Sequence, residues 1–374
     1  MFYSLQKNDD QKEYQEFLKI AGCLSNLFSD SKTPYLYYRV AEKIFCRAFN
    51  ADDLSRSDVS ADAKKDNLGI GLKTFLAGNN NTFQKVAEFN SDRPSYIDLP
   101  HKKLISQVAK LRNIRIEFTA NAYDLHSSIY HCVLRENGKF KIFEENMNLI
   151  DIENIKIQKV NQNSIVFDDN IHEYSFLLSK STLTKRFETS TASYEFNVDI
   201  LKDPLLELRD LLLKKPLLFD KEKLIKQTIF LPLYGRKQFV YEKSGLNQWN
   251  AGGRDRNASE VYIPIPIFIH QNYPDFFPNR GTPFNLKLPS GENLQSKVCQ
   301  ANGKALMSYS NRELGKWILR KVLKLKDGEL LTYEKLQEIG TDAVRVDKIN
   351  DTHYEINFAK IGSYEAFKNK IYFH

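Results

Sequence analysis

The chain has 374 residues, enough for two domains with separate cores. No apolar run approaches about eighteen residues, which excludes a membrane-spanning helix. The net charge of +7 is uneven, because residues 229–374 hold 21 Lys and Arg against 15 Asp and Glu whereas residues 1–228 hold 33 against 32. A basic C-terminal part suits a polyanionic partner, although a modest excess also occurs in proteins that bind nothing charged.

In chain order, residues 12–28 carry helical spacing, with Tyr14, Phe17, Leu18, Ala21 and Leu24 on one face. A second helix is predicted over about 34–49. The polar segment 52–66 precedes a short strand at 70–75, and 78–81 is a turn. Residues 101–117 read as helix. From 127 to about 196 the pattern turns to strands, at 129–134, 140–143, 152–160, 164–167 and 174–178. Asn137-Gly138 is a strong hairpin signal within it. Residues 197–228, rich in Leu and Lys with Pro204 and Pro216, read as short helices joining the halves.

Residues 229–310 are then rich in strands and turns, with strands expected at 229–241, 261–270, 284–288, 294–300 and 304–309 and a tight turn at Asn302-Gly303. Asn311 is a candidate cap for a helix to about 324 that buries Leu314, Trp317, Ile318 and Val322. Thr332 starts another helix, and 354–358 is a closing strand. Two domains of sequence follow, 1–196 and 229–374, joined by a helical linker at 197–228. The four cysteines, Cys23, Cys46, Cys132 and Cys299, form no CxxC pair, so they read as small buried apolar residues rather than zinc ligands or a disulfide framework. The N-terminus, Met1-Phe2-Tyr3-Ser4-Leu5-Gln6-Lys7, lacks the order of a secretion signal, and the expected location is the cytoplasm.

Several dispersed motifs occur in the C-terminal part: Ser244-Gly245-Leu246-Asn247-Gln248-Trp249-Asn250-Ala251-Gly252-Gly253-Arg254-Asp255-Arg256-Asn257, Glu260-Val261-Tyr262-Ile263-Pro264, Phe276-Phe277-Pro278, Lys297-Val298-Cys299-Gln300-Ala301-Asn302-Gly303-Lys304 and Leu314-Gly315-Lys316-Trp317. Over about 229–360 this part resembles the C-terminal DNA-recognition domain of NgoFVII-type restriction endonucleases, a pseudobarrel shared with plant B-three transcription factors. The resemblance implies two loops gripping the major groove. The first offers Lys243, Asn247, Gln248, Trp249, Asn250, Arg254 and Arg256; the second offers Gln300, Asn302 and Lys304. Arg pairs bidentately with guanine and Asn or Gln with adenine, while Lys304 suits a phosphate. Other readings stand beside these. Asn302-Gly303 serves equally as a simple turn, Trp249 as a barrel plug, and the two arginines as a solvated loop paired with Asp255.

In the N-terminal part, Asp62 and the stretch Gly69-Ile70-Gly71-Leu72-Lys73 resemble the core of PD-(D/E)xK nucleases. In that α+β fold a hairpin carries an acidic residue on one strand and an acidic-x-Lys triplet on the next. The resemblance implies a Mg2+ site in which Asp62 is a ligand and Lys73 handles the attacking water. Gly71 departs from the pattern, so a second carboxylate must come from elsewhere. Glu88 is the first candidate, Asp58 an alternative ligand and Glu42 an outer-shell residue. Asp62-Ala63-Lys64 is itself an acidic-x-Lys triplet, which leaves the register open. His126 and His131 lack the His-x-Lys of phospholipase-D-like nucleases and read as ordinary polar residues, and Glu144-Glu145 reads as a solvated loop or strand end.

The sequence thus predicts a type II restriction endonuclease acting on double-stranded DNA, expected as a homodimer and with a cognate DNA methyltransferase encoded nearby. The alternatives are a non-enzymatic DNA-binding regulator and a reader of modified bases.

Overall fold

The computed structural model describes residues 1–55, 59–78, 81–191, 194–214 and 227–372. Contacts divide the chain into two units, Met1–Ile116 with Leu125–Lys221, and Glu117–Asp124 with Glu222–His374. Asp58 lies outside the described residues, as do much of the expected 197–228 linker and part of the 78–81 turn.

In the first unit, helices α1 (Asn8–Cys23) and α2 (Tyr38–Ala48) precede strands β1 (Asp52–Asp53), β2 (Ala63–Lys65), β3 (Leu68–Leu76) and β4 (Asn81–Glu88). Then come α3 (His101–Tyr123), β5 (Ser127–Glu136) and β6 (Lys139–Asn146). Strands β7 (Lys156–Val160), β8 (Ser164–Asp168), β9 (Glu173–Leu177), β10 (Thr182–Glu188) and β11 (Tyr194–Asn197) follow, and helix α4 (Pro204–Lys214) closes the series. A six-stranded sheet runs β1-β2-β3-β5-β6-β11 and a five-stranded one runs β4-β10-β9-β8-β7. Strands β3 and β5 are parallel and central, covered on both faces, which explains their nearly continuous apolar sequences.

On one face of the larger sheet, Ile70, Leu72, Val133 and Ile142 bury against Leu18 of α1 and Phe45 of α2. On the other, Phe75, Cys132, Leu134 and Phe143 meet Phe187 of the smaller sheet. The Asn137-Gly138 turn joins β5 to β6 as expected, with Gly138 at φ +69°. Strand β10 escaped the sequence reading because Lys185, between Leu183 and Phe187, breaks the apolar alternation. Lys185 is nonetheless buried, paired with Glu145.

In the second unit, β12 (Gln227–Pro232), β13 (Ile263–Pro264), β14 (Pro283–Lys287), β15 (Asn293–Cys299), β16 (Ala305–Ser308), β17 (Thr341–Asn350) and β18 (His353–Lys360) form one sheet in the order β12-β17-β18-β14-β15-β16-β13. Its end strands β12 and β13 lie beside each other, so the sheet is nearly closed. Helix α5 (Ile267–Asn272), α6 (Glu313–Gly315, continuing as a π-helical segment Lys316–Val322), α7 (Tyr333–Ile339) and α8 (Ser363–Tyr372) complete it. The C-terminal end of α3 belongs here as well, with Phe118 packed edge-on against Phe358.

Three expectations need correction. The strand expected at 229–241 ends at Pro232, and a 3-10 stretch follows at Arg236–Gln238. The strand expected at 261–270 is only two residues long, because Pro264 and Pro266 cannot donate to a ladder, and α5 follows at once. The helix expected from Asn311 begins at Glu313. Asn311 itself sits at φ +65°, and the Leu314 amide donates to Ser308 Oγ instead. The predicted apolar face of Leu314, Trp317, Ile318 and Val322 is buried, and Thr332 caps α7 by accepting from the Lys335 amide.

All four cysteines are free thiols. Only Cys132 is fully buried, its thiol pushed well above its ordinary value by burial; Cys23, Cys46 and Cys299 are half-buried, and burial pushes the Cys46 thiol up to about 12.

Candidate functional site

In the second unit, the segment after β12 forms a long loop with 3-10 stretches at Arg236–Gln238 and Gly245–Asn250. Its shape is set by buried polar groups. Asn247 is only 1 % exposed. Its side-chain amide donates to Leu331 O at 2.8 Å and its carbonyl accepts from Leu331 N at 3.0 Å. Arg256 donates to the carbonyls of Gln248 and Ala251, at 3.1 and 3.2 Å. Arg320 donates to Ala258 O at 2.8 Å. Gly315 lets α6 touch the loop backbone, since a Cβ there would stand 2.0 Å from Ser259 O. Of the residues expected to contact bases, Asn247 therefore spends its polar atoms inward, and Arg256 commits Nη1 to the loop backbone.

Others face outward. Lys243 and Asn250 are exposed, and Asn250 also donates to Glu242 O at 3.2 Å. Arg254 is ion-paired with Glu260, which is buried and also lies 3.5 Å from Gln248 Nε2. The Arg254 guanidinium is still mostly exposed, so Glu260 orients it while leaving donors free. Trp249 is half-buried, and its indole N–H finds no partner among the described residues. Lys243, Gln248, Arg254 and Arg256 line a cavity of about 500 Å³ together with Lys297 and Gln300.

Gln300 belongs to the second loop, between β15 and β16, where Gln300, Asn302 and Gly303 all have positive φ. Asn302 and Lys304 are exposed and line a second cavity of about 360 Å³, whose opposite wall is Pro264, Pro266 and Ile267. Gln300 and Tyr262 border both cavities. One continuous concave face thus joins the two loops, and its charge is mainly positive. Tyr262, Lys297 and His270 were not singled out in the sequence. The outward phase of β15 would have found Lys297, two residues from Gln295 on the exposed side.

In the first unit, β2 and β3 form the expected hairpin, and Asp62 Oδ2 accepts the Leu72 amide at 2.8 Å. Glu42 is 4 % exposed, held by Arg39 at 2.9 Å. Its carboxyl is pushed above the ordinary range, first by burial and next by the charge of Asp62. The charge of Asp62 thus acts on the Glu42 carboxyl.

The other expected residues lie apart from that pair. Lys73 points to the opposite face of the sheet from α2, its ammonium 5.9 Å from the Tyr130 ring centre, and it forms no ion pair with Asp62, Glu42 or Glu88. Glu88 ends β4 in the smaller sheet, paired with Lys85 and Asn90. A Cβ at Gly71 would stand 2.7 Å from Met147 Cε, the movable end of a flexible side chain, so the position is tight and any larger side chain there would displace Met147. Among the described residues no cluster of three or more His, Cys, Asp or Glu is arranged to hold a metal.

Two further expectations are corrected. His131 is fully buried, with Nε2 2.9 Å from the Tyr14 hydroxyl and Nδ1 2.7 Å from Glu144 Oε1. Glu144 is equally enclosed and also accepts from the Tyr3 amide, tying the N-terminal segment to the sheet. Glu145 pairs with Lys185. These residues form internal networks, not a solvated strand end.

No helix among the described residues is long and apolar enough to cross a membrane. A comparison of the chain with curated proteins found no match. Residues 222–350, which contain both loops and most of the nearly closed sheet, match the family model of the NgoFVII C-terminal B3-like DNA-binding domain.

Proposed function

We propose that the protein is a type II restriction endonuclease that reads a short duplex sequence with its second unit. The observation that carries the DNA-reading part is the continuous basic concave face shared by the two loops, on a domain of the matched family. Arg254, oriented by Glu260, is the leading guanine reader. Gln300 and Asn302 are amides suited to adenine, Gln248 is a buried amide beside Glu260 at the cavity wall, and Lys243, Lys297 and Lys304 suit phosphates. Asn247 and Arg256 hold the loop in shape.

The cutting part rests on Asp62 and Glu42. Two neighbouring carboxylates, one of them buried, repel each other, and a divalent cation would relieve that repulsion. Among the described residues only Oδ2 of Asp62 is engaged, by the Leu72 amide, and Mg2+ typically takes one or two carboxylates plus waters and substrate phosphate. When bound, Mg2+ would lower the pKa of a water and neutralise charge on the scissile phosphate. Arg39 fixes the Glu42 carboxylate, and the Leu72 amide fixes that of Asp62. Lys73, next along the strand from Leu72, and Glu88 enter this reading only as residues to be tested. Homodimerisation and a neighbouring methyltransferase gene belong to the same proposal, since both strands must be cut and the host DNA protected.

Purified protein is expected to cut duplex DNA at one sequence with Mg2+ and not with EDTA. Asp62→Asn should bind the same sequence without cutting it. A chain that binds specifically but never cuts, with any divalent metal, would leave the non-enzymatic regulator in place. One observation favours that rival: the Lys73 ammonium stands on the other face of the sheet from the acidic pair.

A further inference from the structure

The smaller cavity of the second unit has two unlike walls. One carries the amides of Gln300 and Asn302 and the ammonium of Lys304. The other is apolar, formed by Pro264, Ile265, Pro266 and Ile267. Ile267 is 66 % exposed at the start of α5. The two walls are fixed to each other. The Ile265 amide donates to Lys304 O at 2.9 Å, and His270 Nε2 donates to Gly303 O at 3.0 Å. Proline at 264 and 266 locks φ on the apolar side. Gly303, at φ +65°, lies close enough to His270 that a Cβ there would crowd the ring at 3.3 Å. An amide and an isolated isoleucine are thereby held at constant spacing on a basic surface.

That pairing matches one feature of the major groove. An A·T pair presents adenine N7 and N6 for an amide and, beside them, thymine O4 and its 5-methyl group. We propose that Ile267, with the proline wall behind it, reads a pyrimidine 5-methyl group next to the base contacted by Gln300 or Asn302. The inference rests on the DNA-reading proposal above and adds the chemical group recognised at this position. Thymine and 5-methylcytosine both carry that methyl group, so the two sources must be separated by experiment. Lys304, at the rim, would hold the adjoining phosphate.

The test uses the full chain in EDTA, which blocks metal-dependent cutting. A duplex selected from a randomised pool is resynthesised with each thymine replaced in turn by uracil, which removes only the methyl group, and each cytosine replaced by 5-methylcytosine. At one thymine, uracil should weaken binding about fourfold, the scale of one buried methyl group. Ile267→Ser should lose that discrimination at the same position and leave the others intact, whereas Ile267→Val should retain it. Should the response come instead from 5-methylcytosine, strengthening binding at one position through Ile267, the methyl reader stands and its source is methylated cytosine. Indifference of the wild type to every methyl group overturns the proposal, as does unchanged discrimination in Ile267→Ser. A chain that selects no sequence at all defeats the underlying DNA reading, and this proposal with it. Tryptophan fluorescence checks that each variant is folded, since Trp249 and Trp317 both lie in this unit.

Discussion

Asn247→Ala separates a base-reading role from an architectural one. The side chain is 1 % exposed and pairs with both the amide and the carbonyl of Leu331, itself buried. Truncation leaves a buried donor and a buried acceptor without partners, at about 1–3 kcal/mol each, so about 2–6 kcal/mol in total. For a unit of roughly this size, at about 2–4 °C per kcal/mol, that lowers the thermal midpoint by roughly 4–24 °C. Both tryptophans lie in the second unit, so intrinsic fluorescence follows its melting without interference from the first. Below the new transition, the variant should select the same DNA sequence as wild type. A midpoint within about 1 °C of wild type, combined with an altered base preference, would refute the assignment and return Asn247 to the DNA-contacting set.

Arg254→Ala should relax preference at one base position, at a cost of about 1–3 kcal/mol, and Glu260→Gln should do so more weakly by freeing the guanidinium; selection from a randomised pool reads both. Lys304→Ala should weaken binding to all sequences alike and flatten the dependence of affinity on salt by about one unit of slope, measured by titrating NaCl. Glu42→Gln should raise the unfolding temperature of the first unit at neutral pH. The folded carboxyl titrates above its unfolded value near 4.5, so its ionisation costs stability. That cost is absent below the unfolded value and fully present above the folded one, so the advantage of Gln should vanish as pH falls towards 4.5; calorimetry across pH checks it. In the same experiment Mg2+ should stabilise wild type and leave Asp62→Asn unmoved, a readout that needs no cleavage.

The two loops were legible in the sequence because turn chemistry and dense amides mark them directly. Which side chains face outward was not legible. Asn247 and Asn250 are the same residue type three positions apart, yet the first is buried against Leu331 and the second exposed, a difference set by a contact about eighty residues away in the chain. The buried His131–Glu144 pair was within reach of the sequence. Each residue lies six positions from the Asn137-Gly138 turn, and the hairpin register sets them opposite one another. The first-unit site was only partly legible. Asp62 and Glu42 are brought together, but Lys73 takes the other face, which the two-residue periodicity of β3 implies once Leu72 is known to face α2.

The backbone contact between Gly315 and Ser259 bears on how this protein could change its target. Main chain resting on main chain at this point joins the buried side chains of Asn247 and Arg256 in setting the loop's path, so the tips at 243, 250 and 254 contribute little to its shape. Substitutions there should alter the sequence read while the scaffold persists, making those positions the natural ones to randomise when engineering new specificity. Insertions or deletions between 256 and 260 would instead lift the loop off its support and abolish reading altogether.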